Sequence, residues 1–299
     1  MDVGPAPGER WLQQQPVRLA FHGVVRDVAP AGPGMPDTRP AADTATLSAS
    51  VDEHRVLVDF ETTPAIDATA LLGERVGPGF RRLVEAAHAA PDDDPVSVLL
   101  FDLPTAALIA GYAEIRSRTL AGIAPGDIVG PAVLPYVEEV CAGWASDGLM
   151  VTSIRRGEGV PIQDCPDAPP LDDGWHGVPT LPAGWLRRRR RIDLGEDGSV
   201  DAMFRDSYAE PDGRETVLHE YAVSGEVEAD GTIGALVATP RVLPFAECPL
   251  AADNVARLIR TPAAQLRANV RDHLAGTSGC THMNDLLAAI GDAIAARGA

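Results

Sequence analysis

Near the C-terminus, Gly279-Cys280-Thr281-His282 stands directly before Met283, Leu286, Leu287, Ile290 and Ile294. These apolar positions recur at helical spacing, so the four residues open a helix over 281–297. A helix N-terminus presents unsatisfied N–H groups and partial positive charge, which favours a thiolate there and leaves nearby side chains free to reach an ion. Two further soft ligands, His219 and Cys248, lie upstream in the same stretch. Thiolate and imidazole suit soft and borderline ions. The pattern predicts a site of His219, Cys248, Cys280 and His282 holding one zinc or iron ion.

The elements before that helix decide how such ligands could converge. Residues 189–194, 200–206, 216–227 and 233–242 read as strands, with Asp230-Gly231 as the turn between the last two. Helices follow over 250–259, 262–274 and 281–297. The N-terminal part has a similar order: strands over 17–28, 45–51 and 56–60, then helices over 65–72, 79–90 and 105–119.

The halves can be aligned on each other. Val25-Arg26-Asp27 falls against Phe204-Arg205-Asp206, the stretch from Glu61 to Asp67 against that from Glu247 to Asp253, and Phe80–Val84 against Leu266–Val270. Thr62, Asp102 and Pro104 then stand where the second copy has Cys248, Cys280 and His282, so the first copy is a scaffold without soft ligands. The expected fold is α+β: two tandem similar halves, each a small antiparallel sheet packed with helices. The expected division is a flexible N-terminus over 1–16, a degenerate first repeat over 17–125, a helix (128–144) plus linker over 126–186, and a second repeat with the metal site over 187–299.

Charge and composition bound the partners. A net charge of −18 argues against nucleic acid and anionic membrane surfaces, which the summed field would repel. All 25 basic residues are arginine; the absence of lysine removes Schiff-base chemistry and the P-loop lysine. That composition suggests a GC-rich bacterial genome. Four cysteines in 299 residues do not make a disulfide framework, and the first residues lack the blocks of a signal peptide. No run approaches the length of a membrane span, so a reduced, cytoplasmic protein is expected. Arg187–Arg191 is a run of five arginines expected to pair with acidic neighbours or stay solvated. Gly32-Pro33-Gly34, Gly77-Pro78-Gly79 and Gly157-Glu158-Gly159 lack the context of a dinucleotide loop and read as turns.

Carboxylates near the expected site are Asp206, Glu220, Glu247 and Asp285. Asp206 and Glu247 have counterparts in the copy without soft ligands, which assigns them structural roles. Glu220 and Asp285 are the candidates for orienting a ligand histidine or acting as general base beside a metal-bound water.

Arg205-Asp206, His219-Glu220-Tyr221, Glu247-Cys248-Pro249 and the block from Gly279 to Leu287 resemble the bacterial family catalogued as domain of unknown function 2889, over roughly 188 to the C-terminus. Membership brings no established activity. The order of an Asp-Gly hairpin, Cys248, and Cys280 with His282 opening the last helix is also similar to iron–sulphur scaffold domains of the NifU type. His219 stands where that scaffold has its first cysteine, which favours a stably held single ion over transient cluster assembly.

Three functions fit these residues. The first is a metal-dependent enzyme, a hydrolase or lyase acting on a small organic substrate. The others are a metal- or sulphur-handling module with Cys280 as carrier, and a structural site in a partner-binding protein. The sequence leaves substrate and oligomeric state open.

Overall fold

A computed structural model describes residues 1–12, 17–26, 44–90, 94–171, 175 and 177–297. Asp27, Val28 and the Gly32-Pro33-Gly34 turn lie outside the described residues. The fold is mixed helix and sheet, as expected. Its strands are β1 (Asp2–Pro5), β2 (Leu19–Arg26), β3 (Thr44–Val51), β4 (Leu57–Thr63), β5 (Leu186–Leu194), β6 (Ser199–Ala209), β7 (Glu215–Val227) and β8 (Ile233–Val242). They are hydrogen-bonded in the order β4-β3-β2-β1-β5-β6-β7-β8.

One eight-stranded sheet thus replaces the two small sheets expected. The cause is β1, in the segment read as a flexible N-terminus. Val3 pairs antiparallel with Phe21 of β2 on one side and with Leu186 of β5 on the other, and it is fully buried. The Gly and Pro around it hide a four-residue strand, too short to show alternation. Its pairing removes the open edge that β2 would otherwise present.

The helices are α1 (Phe80–Ala87), α2 (Pro95–Leu120), α3 (Pro125–Ile128), α4 (Leu134–Val137), α5 (Leu149–Arg155), α6 (Leu266–His273) and α7 (Thr281–Arg297). Several differ from expectation. The single helix expected over 128–144 is broken into α3, α4 and two 3-10 turns, because Gly130, Pro131 and Pro135 interrupt its ladder. α5 was not foreseen, and 248–258 is a 3-10 helix rather than an α-helix.

The start of α2 was expected at Thr105, directly after Pro104. The helix runs through Pro104 because Leu99, Leu100, Leu103, Ala106, Ile109, Ala110 and Ala113 bury a continuous face. By length and composition α2 is also apolar enough to cross a membrane, which corrects the reading that no run approaches that length. Its most apolar window is 56% buried inside the protein, the condition of a core helix.

The chain forms two compact units. The first comprises 1–114, 169–187 and 209–213; the second comprises 115–168, 188–208 and 214–299. In the first, β2 to β4 bury Leu19, Phe21, Leu47, Val51 and Leu57, and α1 buries Phe80 and Val84. In the second, Phe204 of β6 and Tyr221 and Val223 of β7 pack with Leu266 and Val270 of α6 and Met283, Leu286, Leu287 and Ile290 of α7. The alternation of β7 and the helical spacing of α7 place these residues on facing surfaces.

The entry to α7 is fixed from several directions. Ala142 donates its N–H to the Gly279 carbonyl (2.9 Å), and Asn284 returns its side-chain amide to the Leu274 carbonyl (2.8 Å). A Cβ on Gly279 would lie 2.0 Å from the Leu274 carbonyl oxygen and 2.6 Å from Asn284 Nδ2. Both neighbours are themselves held, so Gly279→Ala is expected to lower stability by about 1–3 kcal/mol. The check is chemical denaturation: the midpoint falls while the slope stays constant.

Candidate metal centre

Three elements of the second unit bring Asp206, His219 and His282 together. Asp206 follows Phe204 by two residues on β6, His219 lies between Val217 and Tyr221 on β7, and His282 is in the first turn of α7. One ligand atom from each lies within 4.8 Å of the other two, a group able to hold a metal ion. His219 Nδ1 is 3.3 Å and His282 Nε2 3.6 Å from Asp206 Oδ2. Nitrogen and oxygen ligands around a tetrahedral ion at about 2.0–2.1 Å would be separated by about 3.3–3.4 Å.

The imidazoles stack, with centroids 3.7 Å apart and planes 21° from parallel, and Phe204 lies against His282. Among the described residues, buried His219 Nδ1 makes no well-aligned hydrogen bond; its nearest acidic neighbour is Asp206 at 3.3 Å. Such an orphaned group costs about 1–3 kcal/mol unless something satisfies it.

Asp206 is fully buried and depends on Arg188 of β5. Arg188 donates from Nε to Oδ1 (2.7 Å) and from Nη2 to Oδ2 (2.9 Å). Burial alone would raise the Asp206 carboxyl; the charge and hydrogen bonds of Arg188, helped by the histidines, outweigh it and hold Asp206 well below the usual carboxylate range. A bidentate fork uses one lone pair on each oxygen, so each oxygen keeps a second acceptor site. Arg188 Nη1 also donates to Asp285 Oδ2 (2.8 Å), which lies 3.4 Å from Arg190 Nη1. Asp285 is three residues beyond His282, on the same side of α7. Burial, then the neighbouring His219, holds the His282 imidazole well below its ordinary range, and Arg188 acts in the same direction against the opposing pull of Asp206. Neutral imidazole is the form that ligates metals.

The other residues expected at the site lie elsewhere or act differently. Cys280 and Cys248 are buried and free, but neither belongs to the group of converging donors. Burial pushes the Cys280 thiol up despite N–H groups of α7 directed at it, and pushes Cys248 up to about 12. Desolvation therefore outweighs the helix N-terminus that was expected to make Cys280 a thiolate. Among the described residues, the donors that converge are two histidines and one carboxylate, without the two cysteines.

Glu220 points to the opposite face of β7 from His219, where Arg205 Nε donates to its Oε2 (2.5 Å) and Arg241 lies 3.7 Å from Oε1. Asp285 reaches the cluster through Arg188. Asp206, which the sequence assigned a structural role, is the residue reasoning missed. A fully buried aspartate must be paired, and the arginine run on the neighbouring strand was the available signal. That run pairs with acids: Arg187 with Asp2, Arg188 with Asp206 and Asp285, Arg190 with Asp285, and Arg191 with Asp193.

No curated protein and no solved structure matches the chain, so the likeness to NifU-type scaffolds is not shown. Residues 186–296, which carry the whole cluster of Arg188, Asp206, His219, His282 and Asp285, match the model of a family described as protein of unknown function (DUF2889).

Proposed function

We propose that Asp206, His219 and His282 hold one zinc or iron ion, and that the protein is a metal-dependent enzyme of the hydrolase or lyase type acting on a small organic substrate. The observation that carries this reading is the convergence of three donor atoms within 4.8 Å, one of them a buried ring nitrogen that makes no well-aligned hydrogen bond among the described residues. Two imidazoles and a carboxylate suit zinc or ferrous iron. Three protein ligands leave a coordination position for water or substrate, which separates a catalytic site from a closed structural one. Asp285 remains the candidate acid–base group. Glu220 lies on the opposite face of β7 from His219, which takes it away from that role.

A second reading is favoured by the Arg188 fork: an ion-paired polar cluster that completes itself without metal and serves a partner-binding protein. The sulphur-carrier reading loses its support with the burial of Cys280. Four free cysteines fit a reducing cytoplasmic setting.

A tandem origin of the two halves also remains our reading. α1 and α6 coincide end to end in the alignment of the halves, burying Phe80 with Val84 and Leu266 with Val270. Each is followed by the longest helix of its half.

The metal reading is tested by elemental analysis of protein purified without a histidine tag. About one equivalent of zinc or iron is expected. Protein that contains neither, and takes up neither when they are supplied, would overturn it.

A further inference from the structure

The two carboxylates at the cluster are both held by guanidinium groups. Asp206 accepts two hydrogen bonds from Arg188, and Asp285 is shared by Arg188 and Arg190. A divalent ion on the triad therefore finds its only anionic ligand already matched by an arginine. Its charge stays the largest in the site. In most sites with carboxylate ligands those ligands offset the ion's charge; here the open position retains a demand for an anion.

Exposure shows from which side an anion can come. Asp206 and Arg188 side chains are 0% and 2% exposed, whereas His282, Arg190 and Asp285 are 17%, 15% and 25% exposed. The cluster is closed at the Asp206 end and reaches solvent at the Arg190 end. Arg190 is the cation at that end, and its 3.4 Å contact with Asp285 is longer than the 2.8 Å bond that Arg188 makes to the same oxygen; the guanidinium fork has donors enough to be shared with a stronger acceptor.

We infer that the substrate carries a carboxylate, which places one oxygen at the open position of the ion held by Asp206, His219 and His282 and accepts a hydrogen bond from Arg190 with the other. This rests on the metal reading above. An ion and one guanidinium offer two positive partners, which suits the two oxygens of a carboxylate better than the three of a phosphate, and the planar guanidinium fork matches a planar acceptor.

Cobalt(II)-loaded protein tests this without an activity assay. Acetate is the probe, because unlike a chelating diacid it does not strip the ion, and inorganic phosphate is the comparison. Acetate is expected to shift the visible cobalt bands at lower concentration than phosphate. Arg190→Gln should raise the half-saturating acetate concentration about tenfold or more, with the cobalt stoichiometry unchanged and partial rescue in Arg190→Lys. Bands unmoved by acetate in protein that holds one cobalt, tighter phosphate binding, or equal acetate binding by Arg190→Gln would overturn the carboxylate inference while leaving the metal site standing. Protein that retains no cobalt would instead remove the metal reading itself, and this inference with it.

Discussion

Arg188→Met is expected to destabilise the protein by about 3–5 kcal/mol, the cost of leaving a buried charge without its partner. Asp206 has no exposed surface, and both of its oxygens accept from Arg188. Methionine fills much of the space of the arginine stem and provides no donor. The same substitution releases Asp285 from its 2.8 Å bond, so α7 loses a tie to β5 as well. A loss of this size is a large part of the stability of an ordinary domain. Denaturant unfolding checks it, and the control is the double replacement Arg188→Met with Asp206→Leu. Removing both charges of a buried pair is far less costly than removing one, so the double variant should recover much of the loss. Equal destabilisation of the single and double variants would show that packing around Arg188, not its charge, is what the fold needs.

The same pair shows what the sequence made legible. The strands β5 to β8 and the helix α7 follow from alternation and helical spacing, and the Asp230-Gly231 turn from its dipeptide: Thr232 N–H donates to Asp230 Oδ1, and Gly231 takes the left-handed conformation. His282 was legible as a candidate because an imidazole in the first turn of an apolar helix is poor packing material, whereas His219, alternating with Val217, Tyr221 and Val223, reads at least as readily as a packed core histidine. Asp206 was not legible, because its importance comes from a partner on another strand. Burial and pairing are tertiary facts, and a local pattern does not record them. The cysteines misled for a related reason: a helix N-terminus lowers a thiol only where water or charge can reach it, and Cys280 is 3% exposed. β1 escaped because four residues, two of them Gly4 and Pro5, carry no period, although their pairing joins two strands that are distant in sequence.

Cys280→Ser and His282→Ala are expected to separate completely in metal binding, although the residues are two apart on one helix. The donor group comprises Asp206, His219 and His282 without either buried cysteine. His282→Ala should therefore reduce bound zinc from about one equivalent to a trace, a loss of affinity beyond the 10- to 100-fold typical of outer-shell changes. Cys280→Ser should keep the full equivalent and show only a modest change in stability, because the α7 N–H groups and the Tyr221 hydroxyl that face the thiol can also partner a serine hydroxyl. Thermal unfolding gives a second readout. Zinc at a free concentration 100 times its dissociation constant stabilises the folded state by about 2.7 kcal/mol if it binds only that state. The rise in melting temperature should appear in wild type and in Cys280→Ser, and vanish in His282→Ala and His219→Ala. Loss of zinc in Cys280→Ser with its retention in His219→Ala would return the ligand set to the thiols at the mouth of α7. Loss in all three would mean that the stacked imidazoles and the buried thiol of Cys280 act as one packed unit, in which the ion depends on the whole entry to the helix.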